Sequence, residues 1–310
     1  MGSTKGSYIW FKGEIMPEEK GVIPVRSVST AAIAAVFEGI RGYWNAEQNQ
    51  MYVFRLDDHL ARLAQSMKLM RMEVVYSQRE LKEVAVELVR RNNLREDCYI
   101  HPVAFYTQRQ VGKFNANTPP DMLIDISPIW SYLKTDHQMS CCVSSWTRIA
   151  DNTMPPRIKC LSNYQNARLA YLLANADGYD GAIFLNSLGK VAEGTGACLF
   201  IARHRKLITP PVTGDILESI TRETVITLAR EILGVEVVER TVDRTELYVA
   251  DEAFFCGTGA EITPITSIDH YTVGDGQIGS LTVELENLYH DLVRGIDGRY
   301  AEWRTPIYGS

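Results

Sequence analysis

Between Pro128 and Gln138 the apolar–polar patterning that runs through most of this 310-residue chain stops. On both sides of that break, runs with the two-residue period of strands alternate with runs of helical period. The irregular, aromatic-containing stretch reads as a linker between two blocks, each mixing strands and helices. At 310 residues with 45% hydrophobic content the chain can bury a large core, as one big or two modest domains. The expectation is an α+β protein with a small N-terminal domain over 1–128, an aromatic-containing linker over 129–138 and a large C-terminal domain over 139–310.

The formal net charge of −6, without a Lys/Arg run, argues against a nucleic-acid partner. No apolar run reaches membrane-spanning length, and the first residues lack the apolar core of a signal peptide, so a cytoplasmic protein is expected. Met1-Gly2-Ser3 and Gly309-Ser310 read as added residues and are set aside. Six cysteines, at 98, 141, 142, 160, 198 and 256, form no C-x-x-C pair and no metal-like spacing. They read as buried thiols in a reducing compartment, and no metal is expected.

Within the first block, Tyr8–Phe11 and Glu14–Met16 flank Lys12-Gly13 as a hairpin. Ser27 or Ser29 is expected to cap a small-residue helix through Val36, with strands at Ile40–Trp44 and Met51–Phe54 beyond it. Asp57 is expected to cap a helix carrying Leu60, Leu63, Ala64, Met67 and Met70 on one face. Ser77-x-x-Glu80 is a capping box opening a second amphipathic helix. Strands at Tyr99–Tyr106 and Met122–Ile126 enclose the polar loop Gln108–Pro120. In the second block, Ala182–Leu185 reads as a strand, Thr221–Leu233 as a helix stopped by Gly234, and Leu281–Val293 as the last helix.

Two stretches carry the chemistry. In Met154-Pro-Pro-Arg-Ile-Lys159-Cys-Leu-Ser-Asn-Tyr164, prolines fix the approach to one lysine, and the apolar run Leu169–Ala176 behind it reads as a mostly buried helix. A poorly hydrated lysine amine attacks carbonyls and makes Schiff bases. The residues alone leave that reading open beside an ordinary loop lysine. In Val191-Ala-Glu193-Gly-Thr-Gly-Ala-Cys198-Leu-Phe200, Glu193 sits near a strand end beside a glycine-rich bend.

Together with Val36-Phe-Glu-Gly-Ile-Arg41, His59-x-x-Arg62-Leu63, Ser144-Ser-Trp146, Ile220-Thr-Arg222, Leu247-Tyr-x-Ala-Asp-Glu252 and Gly257-Thr-x-x-Glu-Ile-Thr-Pro264, these stretches resemble the class IV (fold type IV) pyridoxal-phosphate aminotransferases. Within them the chain is most similar to the branched-chain amino-acid aminotransferases, over nearly its whole length. The resemblance implies a two-domain, D-amino-acid aminotransferase-like fold with pyridoxal 5'-phosphate in the interdomain cleft. It makes Lys159 the Schiff-base lysine and proton carrier, Glu193 the partner of the pyridine nitrogen, and Tyr164 the partner of the phenolic oxygen. Arg62, Ile220, Thr221 and Thr258 would form the phosphate cup. Tyr99 with the amides of Gly259 and Ala260 would receive a substrate α-carboxylate, Phe37, Ile129 and Tyr132 would lie against an apolar side chain, and His101 would face a second carboxylate. A homodimer is implied, with Gln108–Pro120 as the loop that completes a neighbour's site.

The departures fall on the substrate wall. Ala32 and Ile33 stand where the family usually has Tyr-Gly, His101 where it has arginine, and Cys198 where it has asparagine. Replacing a tyrosine by Ala32 is expected to widen the pocket, while Ile33 refills part of it. A histidine is a weaker, protonation-dependent partner for a second carboxylate than an arginine. The expected reaction is transfer of an amino group from branched-chain or other hydrophobic L-amino acids to a 2-oxo acid by a ping-pong route. The alternatives are an (R)-selective amine or D-amino-acid transaminase, a pyridoxal-phosphate lyase, and a carrier without turnover.

Overall fold

In the computed structural model, Lys12 and Gly13 take positive φ (52° and 92°) and close the hairpin of Tyr8–Phe11 with Glu14–Pro17. Residues 7–106 and 119–309 are described. The Gln108–Pro120 loop therefore lies outside them, apart from its last two prolines.

The chain divides into two units, and the division differs from boundaries at 128 and 139. The described residues 7–106, 119–130, 158–162 and 292–309 form the first unit; 131–157 and 163–291 form the second. Backbone pairing explains the difference. Phe37 N–H donates to Lys159 C=O (3.0 Å) and Leu161 N–H to Ala35 C=O (2.9 Å), while strand Arg304–Pro306 pairs antiparallel with Gln50–Phe54. These bonds tie 158–162 and the C-terminal residues to the first unit.

The first unit's sheet runs in the order Arg304–Pro306, Gln50–Phe54, Ile40–Asn45, Cys98–Tyr106, Pro120–Pro128, Tyr8–Phe11, Glu14–Pro17, with Val36–Phe37 also against Cys98–Tyr106. Three α-helices among the described residues accompany it. Gln78–Asn92 starts at the expected capping box: Glu80 N–H donates to Ser77 Oγ (3.2 Å) and Ser77 N–H to the Glu80 carboxylate (2.7 Å). Leu56–Leu69 is capped differently from the expectation. Arg55, at φ 51°, is its N-cap residue, and Asp57 lies in the first turn, where a carboxylate meets the positive end of the dipole. Val28–Ala34 is shorter than expected, and the Ser27 side chain makes no capping bond.

The second unit's sheet runs Val191–Gly194, Gly181–Leu185, Met139–Val143, Glu261–Ile268, Glu252–Gly257, Cys198–Arg203, Lys206–Thr209, Val237–Glu239, with Tyr271–Thr272 also on Glu261–Ile268. Phe255, Leu199, Ile201, Ile183 and Ile265 centre its core. Helix Tyr164–Ala176 buries its alanines at 167, 170 and 174 but exposes Tyr171, Leu172 and Leu173, so it is less buried than expected. The expected helix over Thr221–Leu233 is an α-helix, Ile220–Thr227, that widens into π-helix at Leu228–Ile232. Leu233 N–H reaches back five residues to Leu228 C=O (3.1 Å), and Gly234, at φ 64°, follows it. No described helix is long and apolar enough to cross a membrane.

Candidate active site

Helix Leu56–Leu69 carries two buried stripes. Leu56, Leu60, Leu63 and Met67 face the core; His59, Arg62 and Ser66, three and four residues apart, form the neighbouring line. Arg62 donates to both oxygens of Glu38, through Nε at 2.6 Å and Nη2 at 2.8 Å, and His59 Nδ1 lies 2.8 Å from Glu38 Oε2. Burial alone would push the Glu38 carboxyl up, but the Arg62 guanidinium and His59 outweigh it and hold the group well below the usual carboxylate range. Burial lowers the His59 pKa. A neutral imidazole facing a carboxylate, which only accepts, donates its Nδ1–H.

Ser66 ends that line by accepting the Lys159 N–H (3.2 Å). The backbone of Lys159 is thus held between helix and strand, and its half-buried side chain places Nζ 4.6 Å from the centre of the Phe37 ring. Next along, Gly39 is required sterically: a Cβ there would lie 1.7 Å from the Tyr99 hydroxyl. Tyr99 and His101, two apart on strand Cys98–Tyr106, share a half-buried face. Phe37 meets the His101 ring edge-on at 5.3 Å, and His101 Nδ1 lies 3.1 Å from Asp125 Oδ2. Ile129 is half-buried, with its N–H on Asp97 C=O (3.0 Å). All of these belong to the first unit.

In the second unit, strand Val191–Gly194 shifts register against Gly181–Leu185, a bulge that falls at Ala192-Glu193. Bulges re-aim side chains. Glu193, 4% exposed, is held on both oxygens: Arg148 Nη2 is 2.6 Å from Oε1, and Oε2 accepts from Leu217 N–H (3.2 Å) and from the Cys198 thiol (3.8 Å). Helix Ile220–Thr227 starts three residues after Leu217. Its cap residue Ser219 satisfies Arg222 N–H through Oγ and Glu223 N–H through its carbonyl. The first two N–H groups, those of Ile220 and Thr221, carry no hydrogen bond among the described residues and point out of the helix start. Thr221 is buried there. Thr258 and Gly259 occupy the tight turn between strands Glu252–Gly257 and Glu261–Ile268, and a Cβ on Gly259 would meet nothing within 4 Å. Tyr164, 36% exposed, opens its helix after Asn163, whose Nδ2 donates to Pro155 C=O (3.0 Å).

The linker residues divide. Ser131 Oγ and Tyr132 N–H bond the fully buried Glu261 carboxylate, Tyr132 stacks on His137 at 4.4 Å, and Trp130 is 87% exposed. Ala32 and Ile33 sit on the exposed side of Val28–Ala34, Ile33 at 68%.

Taken unit by unit, the donors present suit pyridoxal phosphate: in the first an amine at Lys159, and in the second a carboxylate held as an acceptor at Glu193 and the amides and hydroxyl that open helix Ile220–Thr227. Arg62 fits in a modified form, because two of its nitrogens are committed to Glu38. Sequence reasoning missed Glu38, His59 and Arg148. His59 and Arg62 stand three apart on one helix, and Glu38 lies inside a quoted motif, so a buried acid–base cluster could have been inferred. Nothing local marks Arg148. Among the described residues no group of His, Cys, Asp and Glu could hold a metal.

The family model described as Amino-transferase class IV matches residues 35–268. A probable branched-chain-amino-acid aminotransferase of Aquifex aeolicus is 42% identical over 301 residues, 97% of each chain. The branched-chain-amino-acid aminotransferase of Salmonella typhimurium is 37% identical over 314 aligned positions, 99% of each. Among solved structures, that of the branched-chain amino acid aminotransferase from Thermobaculum terrenum in its PLP form superposes with a TM-score of 0.95, at 49% identity over 98% of this chain and 99% of that one.

Proposed function

The chain belongs to the class IV aminotransferases, and on that premise we propose that it transfers the amino group of branched-chain and other bulky hydrophobic L-amino acids to a 2-oxo acid, using pyridoxal 5'-phosphate. The observation that carries this reading is the Glu193 carboxylate, buried and held as an acceptor by Arg148 and Leu217, on a chain that also presents a lysine amine at 159. When bound, the cofactor supplies an aldehyde to carry the amino group and a ring that accepts electrons from the substrate α-carbon.

The chain's residues do the rest. Lys159 would hold the cofactor through its Nζ amine, and that amine would take the proton from the substrate α-carbon and return it. Its fixed backbone and the Phe37 face confine where that amine can go. Glu193 would hold the proton on the ring nitrogen, and Tyr164 would bind the phenolic oxygen. The amides of Ile220 and Thr221 and the Thr221 and Thr258 hydroxyls would hold the phosphate, with the Arg62 guanidinium, oriented by Glu38, supplying positive charge. The Tyr99 hydroxyl and the Gly259 and Ala260 amides receive the α-carboxylate, and Phe37, Ile129 and Tyr132 receive an apolar side chain. A homodimer belongs to the proposal. Val22, Val25 and Ile33, all more than 65% exposed, support it as apolar surface that a second copy would cover.

The test is borohydride reduction of the yellow holoprotein followed by peptide mapping, alongside a panel of amino donors with pyruvate or 2-oxoglutarate. The reduced cofactor is expected on Lys159, with leucine, isoleucine and valine among the best donors. Label on any other lysine, or turnover only with amines that lack a carboxylate, would overturn the reading.

A further inference from the structure

Arg148 is a buried cation that the reaction as described does not use. Its side chain is 9% exposed; Nη2 lies 2.6 Å from Glu193 Oε1, and Nη1 reaches Asn166 Oδ1 at 3.4 Å. The guanidinium carbon sits 5.6 Å from the centre of the Phe184 ring, and the Arg148 main-chain N–H is fixed on Leu185 C=O at 2.9 Å. Its Nε is buried with no hydrogen-bond partner among the described residues. Burying a guanidinium with one donor unmet is unfavourable. Packing alone therefore gives no reason for an arginine here.

We propose that Arg148 is the positioning residue that keeps Glu193 ionised and, through it, keeps the proton on the ring nitrogen of the bound cofactor. The inference rests on the reading of Glu193 as that nitrogen's partner.

One proton is shared between the ring nitrogen and the carboxylate, so two arrangements compete: a charged pair and a neutral pair. A buried carboxylate without a cation favours the neutral pair, because burial disfavours its charged form. A guanidinium in direct contact with a carboxylate oxygen stabilises the anion more than it repels a proton lying farther away, since the interaction falls with distance. That tips the balance to the charged pair, with the proton on nitrogen. Two further donors to Glu193 are weaker: the Leu217 backbone N–H, and the Cys198 thiol, a poor donor at 3.8 Å. Of the titratable groups near Glu193, Arg148 and Cys198 are in contact with it. Behind Cys198, directly across in register, is Cys256, whose thiol burial pushes well up and so keeps neutral.

The experiment loads the protein with pyridoxal phosphate labelled with nitrogen-15 in the ring and follows that nitrogen's chemical shift against pH. Wild type, Arg148→Met, Arg148→Lys and Glu193→Gln are compared, with melting temperature as a control on folding. Wild type is expected to keep the ring proton to the highest pH. Arg148→Met should lose it at least about one pH unit lower, a tenfold loss of proton affinity. Arg148→Lys should fall between them, because lysine restores the charge without the fork. A Glu193→Gln titration identical to wild type would overturn the Glu193 reading, and the Arg148 inference with it. A shifted Glu193→Gln beside an unshifted Arg148→Met would overturn the Arg148 inference alone. If Arg148→Met does not fold, Arg148→Lys decides: a titration identical to wild type overturns the proposal, and a lowered one supports it.

Discussion

Replacing Glu38 by glutamine keeps the shape of the Glu38–Arg62–His59 cluster and removes its single negative charge. In the native chain both Glu38 oxygens are in use, and Arg62 is itself only 9% exposed. A glutamine offers one acceptor oxygen and turns an NH2 group toward donors, so the buried Arg62 guanidinium loses the negative charge it pairs with at Glu38. Removing one partner from a buried ion pair costs about 3–5 kcal/mol. At roughly 2–4 °C per kcal/mol for a large domain, the apoprotein should melt about 6–20 °C lower. The cofactor should also be held less tightly, because nothing then aims the Arg62 fork. Melting curves on the apoprotein and cofactor titrations measure both effects. Glu38→Gln combined with Arg62→Met removes both charges and should recover part of the lost stability. A melting temperature within about 2 °C of wild type, or a double variant no more stable than the single one, would refute the reasoning. The pH dependence follows in sign. Glu38 has its folded pKa below its unfolded value, so its contribution is present above about pH 4.3 and is lost as the pH falls toward the folded value. The gap between Glu38→Gln and wild type should therefore narrow in acid.

His59 is also depressed by burial, so below about pH 6.5 the unfolded chain takes up a proton that the folded chain resists, and stability falls with pH. His59→Asn should flatten that fall, which denaturant melts over a pH series will show; an unchanged slope counts against it. Gly39→Ala puts a methyl 1.7 Å from the Tyr99 hydroxyl, so KM for the amino acid should rise by about tenfold or more while kcat changes less; a KM within twofold of wild type is the opposing result. His101→Arg should improve 2-oxoglutarate more than pyruvate as acceptor, by about three- to tenfold in kcat/KM, because the arginine charge is permanent. Equal effects on both acceptors would show that position 101 does not meet the second carboxylate.

What the sequence determined by itself lies within a few residues of chain. The Lys12-Gly13 turn, the Ser77–Glu80 capping box and Gly234 after its helix were all legible, because dihedral preferences and capping bonds act over one to four positions. The register of helix Leu56–Leu69 was legible too, although its cap at Arg55 was not: a left-handed arginine is held by its surroundings and carries no local signal. The same limit applies to the site. Family likeness singled out Lys159, Glu193 and Arg62 as residues. The partners that fix their side chains or their main chain lie far away in sequence: Glu38 is 24 residues from Arg62, Ser66 93 residues from Lys159, and Arg148 sits on a different segment from Glu193. Only tertiary structure decided those pairings, and with them the transfer of 158–162 and 292–309 to the first unit. Each depends on which backbone groups and charges had to be satisfied once water was excluded, and that is settled by packing across the whole unit.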